Sequence, residues 1–66
     1  MKIIINGEEK ECQEGISLLV LLQQLSLESK VMAAAVNMQI IKQDEWNSYI
    51  LKDADKLELL DFVGGG

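Results

Sequence analysis

The chain has 66 residues, 48% of them hydrophobic, and a formal net charge of −5. That length suits one domain with a small core, which buries only about 60% of the surface that its unfolded form exposes. The balance of 11 acidic against 6 basic residues argues against nucleic acid and anionic membranes, because both attract basic proteins. The apolar runs are also far shorter than the ~20 residues that a membrane-spanning helix needs.

The composition also limits which side chains could act as catalysts or metal ligands. Histidine is absent, which removes the commonest general acid–base group at neutral pH and the commonest metal ligand. The acids Asp53, Asp55 and Glu58 lack the spacing of a calcium loop, so we predict a solvated turn and no metal site. The single cysteine, Cys12, cannot form an internal disulfide, and the N-terminus lacks the apolar length of a secretory signal. We therefore expect a cytoplasmic protein that is not an enzyme.

The first predicted element is a β-hairpin. Lys2–Ile5 is apolar and β-branched, and the Asn6-Gly7 pair after it is a strong signal for a two-residue turn. A returning strand is predicted over residues 9–14, with Cys12 in its middle. No lysine or histidine is arranged there to lower the pKa of the thiol. We therefore interpret Cys12 as a packing residue rather than a sulfur relay.

A helix and a buried strand come next. Ser17 is a good N-cap, and an amphipathic helix is predicted over residues 17–25. Leucines at helical spacing form its apolar face: Leu18, Leu21, Leu22 and Leu25. The short apolar run Val31–Val36 ends at Asn37 and favours a strand that packs against this helix.

The remaining elements are short. Gln39–Ile41 is predicted to be a brief further strand after an Asn37-Met38 turn, and residues 43–48 an irregular or helical turn. Trp46, in a chain with few aromatic residues, is expected to close one end of the core. Residues 53–55 mark a turn before the last strand, at 56–63. The predicted order is ββαββ with a short turn between the later strands.

Alternation along the last strand divides its side chains between two faces. Leu57 and Leu59 are expected to face the core, where the leucines of the helix must pack. Leu60 and Phe62 then lie on the outer face, where exposed apolar residues next to the end of the chain suggest partner docking. The alternative left open is that a loop or a neighbouring side chain covers them.

The sequence closes with three consecutive glycines, Gly64, Gly65 and Gly66. Nothing follows for a turn to connect, so we expect residues 1–63 to form the domain and residues 64–66 a flexible reactive tail. Such a tail can enter a slot too narrow for other residues and present its carboxylate, with a reach of roughly 10 Å. The alternative is a frayed terminus or a cloning remnant.

A family resemblance covers essentially the whole chain. The resemblance rests on five features: the opening strand with its Asn6-Gly7 turn, the run at residues 36–41, Trp46, the run at residues 53–60 and the closing residues 63–66. With these features the sequence resembles the ubiquitin-like (β-grasp) sulfur carriers, most closely the ThiS family of thiamin biosynthesis. It departs from that family at Lys42-Gln43, where Pro-Arg is frequent, and at Ala54, where glycine is usual. A positive φ at Ala54 would be costly because of the Cβ.

The resemblance implies a fold and a mechanism. The fold is α+β, with a mixed sheet packed on one main helix. An E1-like adenylyltransferase, ThiF in this family, would use ATP and magnesium to adenylate Gly66. A persulfide relay fed by a cysteine desulfurase would then form a thiocarboxylate, and thiazole synthase, ThiG, would accept its sulfur. Gly64 and Gly65 carry over as the rest of the reactive tail, and the cofactors belong to the partner enzymes.

Three other functions fit the same residues. The small subunit of molybdopterin synthase also ends in Gly-Gly and carries a thiocarboxylate, although the short length and the segment from Asn37 to Trp46 favour the thiamin branch. In a protein modifier, Gly66 would form an isopeptide bond with a lysine of a target. In a small interaction module the tail would be inert.

Overall fold

The computed structural model describes residues 1–61, and the side chains of residues 1–60. Its elements, in chain order, are β1 (Lys2–Ile5), β2 (Glu8–Glu11), α1 (Leu18–Gln24), β3 (Val31–Val36), β4 (Gln39–Ile41), a short 3₁₀ helix (Gln43–Glu45) and β5 (Lys56–Asp61). Phe62 and the tail predicted at residues 64–66 lie outside the described residues. No helix within residues 1–61 is long and apolar enough to cross a membrane.

Within residues 1–61, the strands form one five-stranded mixed sheet in the order β2-β1-β5-β3-β4. β1 and β5 run parallel at its centre, with Ile4 opposite Lys56 and Ile5 opposite Leu57. The other neighbouring strands pair antiparallel. This confirms the expected α+β fold with a mixed sheet and one main helix. The predicted order is one strand short, because β4 pairs with β3 as a full member of the sheet.

Both antiparallel hairpins turn through two residues in the left-handed region. Asn6 and Gly7 have φ of 49° and 87°, and Asn37 and Met38 have φ of 51° and 72°. Paired positive φ angles belong to the turn type whose twist matches that of the flanking strands, and asparagine tolerates this region well. The predicted Asn6-Gly7 turn is therefore confirmed.

Helix α1 begins as the sequence predicts. The Ser17 hydroxyl accepts a hydrogen bond from the Val20 amide at 3.2 Å, and the helix ends at the C-cap Leu25. Leu18, Leu21 and Leu22 are buried, and Leu25 packs against the same core from a half-buried position. The leucine face of the helix thus forms one wall of the hydrophobic core.

Trp46 closes the core on the side of the 3₁₀ helix. It is 1% exposed, and its indole Nε1 donates a hydrogen bond to the carbonyl of Ile41 at 2.9 Å. Its own carbonyl accepts from the amide of Leu19 at 3.0 Å, which ties this segment to α1. The predicted role of Trp46 in the core is confirmed.

The position predicted for Cys12 was wrong. β2 ends at Glu11, so Cys12 lies just beyond the strand rather than in the middle of one that reaches residue 14. The reason is the start of the partner strand. The Cys12 amide donates to the Met1 carbonyl at 2.8 Å, and the Met1 ammonium donates to the Cys12 carbonyl at 2.8 Å. Cys12 therefore lies opposite Met1, just outside the ladder in which Lys2 pairs with Glu11.

Candidate functional site

The strand that leads to the predicted tail occupies the centre of the sheet. β5 has β1 on one side and β3 on the other. Leu57 is buried, Leu59 packs half-buried against the core, and Leu60 is 57% exposed. The predicted division of these leucines between the two faces is therefore confirmed. Within residues 1–60, neither a loop nor a neighbouring side chain covers Leu60.

Leu60 borders an apolar groove on the outer face of the sheet, opposite α1. Ala33 and Ala35 of β3 lie along it, and Ile40 of β4 stands on its far side, 71% exposed. Ala33 is the cross-strand partner of Leu60, and Ala35 is that of Ile40. Because an alanine side chain is a single methyl group, β3 forms the recessed floor between the two larger side chains. We call this surface the outer groove.

The sequence did not reveal the contribution of Ile40. β4 was predicted as a strand, but a three-residue strand does not show from its pattern which face its residues occupy. That face is set by the pairing of Ile40 with Ala35 across the hairpin. The outer groove therefore has a second large apolar side chain that sequence reasoning missed.

Two turn asparagines hold the backbone of β5 with their side chains. The Asn6 Oδ1 accepts from the Leu59 amide at 2.8 Å, and its Nδ2 donates to the Leu59 carbonyl at 3.4 Å. The Asn37 Oδ1 accepts from the Lys56 amide at 3.0 Å. Sequence reasoning identified both asparagines as turn residues. It missed their hydrogen bonds to β5, because a local pattern does not show which distant backbone a side chain will meet.

The predicted solvated turn was wrong for one of its acids. Asp55 is only 7% exposed. Its Oδ1 accepts from the Asn37 Nδ2 at 2.9 Å, and its Oδ2 accepts from the Lys52 amide at 2.8 Å. The carboxylate is buried because these donors replace water. It stabilises a turn in which Ala54 has a φ of 70°.

The thiol of Cys12 is not poised for nucleophilic chemistry. Burial raises the pKa of Cys12, the Met1 ammonium acts in the opposite direction, and the charges of Glu11 and Asp53 raise it further. A raised pKa leaves less of the reactive thiolate at neutral pH. The geometry agrees with a packing role, since Cys12 lies half-buried against the core.

Negative charge is concentrated on the edge strand β2. Glu8, Glu9 and Glu11 are all exposed there, and Glu58 lines the outer groove on β5. Charged side chains on an edge strand oppose edge-to-edge pairing with another sheet. They also favour encounter with a basic partner surface. Among the described residues, no cluster of acids or cysteine is arranged to hold a metal ion.

The sequence model of the ThiS family matches residues 3–66. The chain belongs to the ThiS family. A crystal structure of the thiamine biosynthesis protein (ThiS) from Geobacter metallireducens superposes with a TM-score of 0.83 at 26% identity, covering the whole of both chains. The ubiquitin-like β-grasp fold implied by the sequence resemblance is thereby confirmed.

Curated relatives of this ThiS-family chain include a separate carrier protein and a larger enzyme. The sulfur carrier protein ThiS of Escherichia coli is 32% identical over 66 residues, which cover the whole of both chains. A thiazole synthase of Paramagnetospirillum magneticum is 35% identical over 66 residues, all of this chain but only 20% of that protein. The chain therefore spans the full length of the carrier and about a fifth of the thiazole synthase.

Proposed function

We propose that this chain is a sulfur carrier for the thiazole step of thiamin synthesis and that the carboxylate of Gly66 carries the sulfur. The observation that supports this most strongly is the end-to-end similarity to the sulfur carrier of E. coli, together with a family match that runs through Gly66. In this proposal the chain is a co-substrate of enzymes and not itself a catalyst. It works in the cytoplasm and carries no cofactor of its own.

The chemistry would take place on the proposed tail in an activating enzyme. A Gly66 carboxylate oxygen attacks the α-phosphorus of ATP, with magnesium on the phosphates, and pyrophosphate leaves. The terminal sulfur of a persulfide then displaces AMP from the acyl carbon. A thiolate of the sulfur-donor system cleaves the resulting S–S bond by exchange, which forms a new disulfide and releases the thiocarboxylate. Gly64 and Gly65, having no Cβ, would let the chain enter a narrow slot.

The outer groove is the proposed docking surface for the E1-like activating enzyme. Leu60 and Ile40 offer exposed apolar area, and alternation along the sequence adds Phe62, which lies outside the described residues. Burying such side chains stabilises a complex by up to about 1.5–3 kcal/mol each. Glu58 and the acidic edge strand β2 would guide the approach of a basic partner surface.

A matched pair of substitutions tests this surface. Ile40→Ala should weaken binding to the activating enzyme by about tenfold, equivalent to about 1.4 kcal/mol. Ile50→Ala removes the same atoms from a residue that is 49% exposed and lies outside the groove, so it should leave the affinity unchanged. Titration calorimetry measures both. Equal affinities of the two variants would contradict the assignment of the groove.

The proposed acceptor is a ThiG-like thiazole synthase. Two thiazole synthases, from Paramagnetospirillum magneticum and Magnetococcus marinus, contain a segment similar to all 66 residues of this chain. Placing two modules in one chain raises their effective concentration for each other. Such an arrangement is expected for a carrier and an acceptor that must meet in every cycle, and it supports the same pairing between separate chains.

The decisive experiment is intact-protein mass spectrometry of the full chain after incubation with an E1-like enzyme, ATP, magnesium, and a cysteine desulfurase with cysteine. We expect a mass gain equal to sulfur replacing oxygen, localised to Gly66 by fragmentation, and none in a variant that lacks Gly66. An unchanged mass, with an enzyme active on another carrier, would refute the proposal. Supplying the loaded protein to thiazole synthase and to the large subunit of molybdopterin synthase then separates the two acceptors.

A further inference from the structure

The main-chain ladder between β1 and β5 stops where the first hairpin turns away. Its last pair is Ile5 with Leu57, and the Asn6 amide still donates to the Leu57 carbonyl at 2.9 Å. The φ angles of 49° at Asn6 and 87° at Gly7 then turn the chain into the hairpin. From this point the main chain of β1 can no longer reach β5.

The side chain of Asn6 continues the ladder in place of the missing peptide. Its carboxamide accepts from the Leu59 amide and donates to the Leu59 carbonyl. A carboxamide has the same donor and acceptor as a peptide group, so it can mimic one further residue of β1. Beyond Leu59, the described pairing of β5 is with β3 alone, and that ladder has an irregularity between Val31 and Ala33.

We propose that Asn6 is a positioning residue for sulfur transfer: among the described residues, its side chain makes the last hydrogen bonds on the β1 side of the strand that leads to Gly66. The inference rests on the proposed function. Leu59 precedes Gly66 by seven residues. The two hydrogen bonds between Asn6 and Leu59 therefore fix the backbone of β5 shortly before the segment that reaches the activating enzyme. Without them, more backbone would have to be ordered each time the carboxylate is delivered.

A simpler reading is that Asn6 is present only because it tolerates a left-handed turn. Asn6→Gly separates the two readings, since glycine adopts positive φ freely and has no side chain to clamp Leu59. Asn37→Gly is the matched control. Asn37 has nearly the same φ of 51° and also holds β5 by its Oδ1, but at Lys56, the opposite end of the strand.

The test compares the wild type with these variants in ATP-dependent pyrophosphate release by the activating enzyme at varied carrier concentration. With Asn6→Gly, we expect kcat to fall by about tenfold, because docked complexes deliver the carboxylate less often. KM should stay within about twofold, because the two large apolar side chains of the groove, Leu60 and Ile40, are unchanged. Asn37→Gly should leave kcat and KM unchanged. Asn6→Asp keeps the acceptor for the Leu59 amide and should recover part of the lost kcat.

Hydrogen exchange of the Leu59 amide gives a readout that does not depend on the enzyme. Asn37→Gly also removes a donor to the buried Asp55 carboxylate, so thermal unfolding measures the stability lost by each variant. The exchange should accelerate by more than that loss explains in Asn6→Gly, and by no more than that loss explains in Asn37→Gly. Equal kcat values for the two glycine variants would overturn the proposal. A rise in KM alone would also overturn it, because Asn6 borders the outer groove and would then act in docking. If the wild type is not activated, the proposed function fails, and the inference fails with it.

Discussion

The buried carboxylate of Asp55 should be the most sensitive polar group in the described fold. Asp55→Asn keeps the shape of the side chain but replaces one acceptor oxygen with a donor. If the new amide oxygen faces the Lys52 amide, its NH₂ meets the Asn37 Nδ2; if it is reversed, the NH₂ meets the Lys52 amide. Flipping Asn37 does not help, because its NH₂ would then face the Lys56 amide. Every arrangement leaves one pair of donors facing each other.

The size of the effect follows from that count. A buried donor left without an acceptor costs about 1–3 kcal/mol, so we expect Asp55→Asn to lower the free energy of unfolding by about 2 kcal/mol. In a domain of this size each kcal/mol corresponds to a fall in Tm of about 4–8 °C. Since small domains have only about 5–15 kcal/mol in total, the loss is a large fraction of the stability.

Urea denaturation followed by Trp46 fluorescence measures this difference. Asp53→Asn is the control, because the Asp53 Oδ1 accepts from the Lys2 amide at 2.9 Å in an exposed position and an amide oxygen can take its place. The control should stay within about 0.5 kcal/mol of the wild type. If Asp55→Asn also stayed within that margin at an unchanged m-value, the argument from unsatisfied donors would be refuted.

Three further substitutions or reactions test other parts of the fold. Ala54→Gly should raise the free energy of unfolding by about 0.5–1 kcal/mol, because relief of the left-handed φ outweighs the added freedom of the unfolded chain; a loss in urea denaturation would contradict this. Trp46→Phe should lower stability by about 2–3 kcal/mol, since it leaves a void and removes the hydrogen bond from the indole to the Ile41 carbonyl; thermal unfolding by circular dichroism measures it, and an unchanged Tm would count against it. Because burial raises the pKa of Cys12, the folded protein has less thiolate than the urea-unfolded chain at any pH below that pKa. Iodoacetamide should therefore label the folded protein more slowly at pH 8, and equal rates would show that the thiol is not protected.

Local signals in the sequence were sufficient for most of the elements. The Asn6-Gly7 pair predicts a turn because the required φ angles depend on those two residues alone. Ser17 and the leucines after it predict the helix because a cap and a 3.6-residue period are properties of a single segment. Elements of this kind can be predicted without knowing the rest of the fold.

The residues that were missed depend on contacts between distant parts of the chain. Asn6 and Leu59 are 53 positions apart, and Asn37 and Asp55 are 18 apart. Nothing in either local pattern shows that these groups will meet. The burial of Asp55 was missed for this reason. Acids in a polar turn are normally solvated, and Asp55 is buried because the Asn37 carboxamide and the Lys52 amide donate to it in place of water. The fold itself was named from the family resemblance rather than from the strand pattern.

The central position of β5 in the sheet suits a strand that leads to the proposed reactive tail. An edge strand is held on one side only, and its last residues can fray. β5 pairs with β3 from Leu57 to Asp61 and with β1 at Lys56 and Leu57, and the asparagines hold its backbone at Lys56 and again at Leu59. The outer groove lies on the same strand through Leu60. Under the proposed function, docking through that groove would fix the direction in which the chain continues, so that binding energy gained at the surface would contribute to orienting the carboxylate.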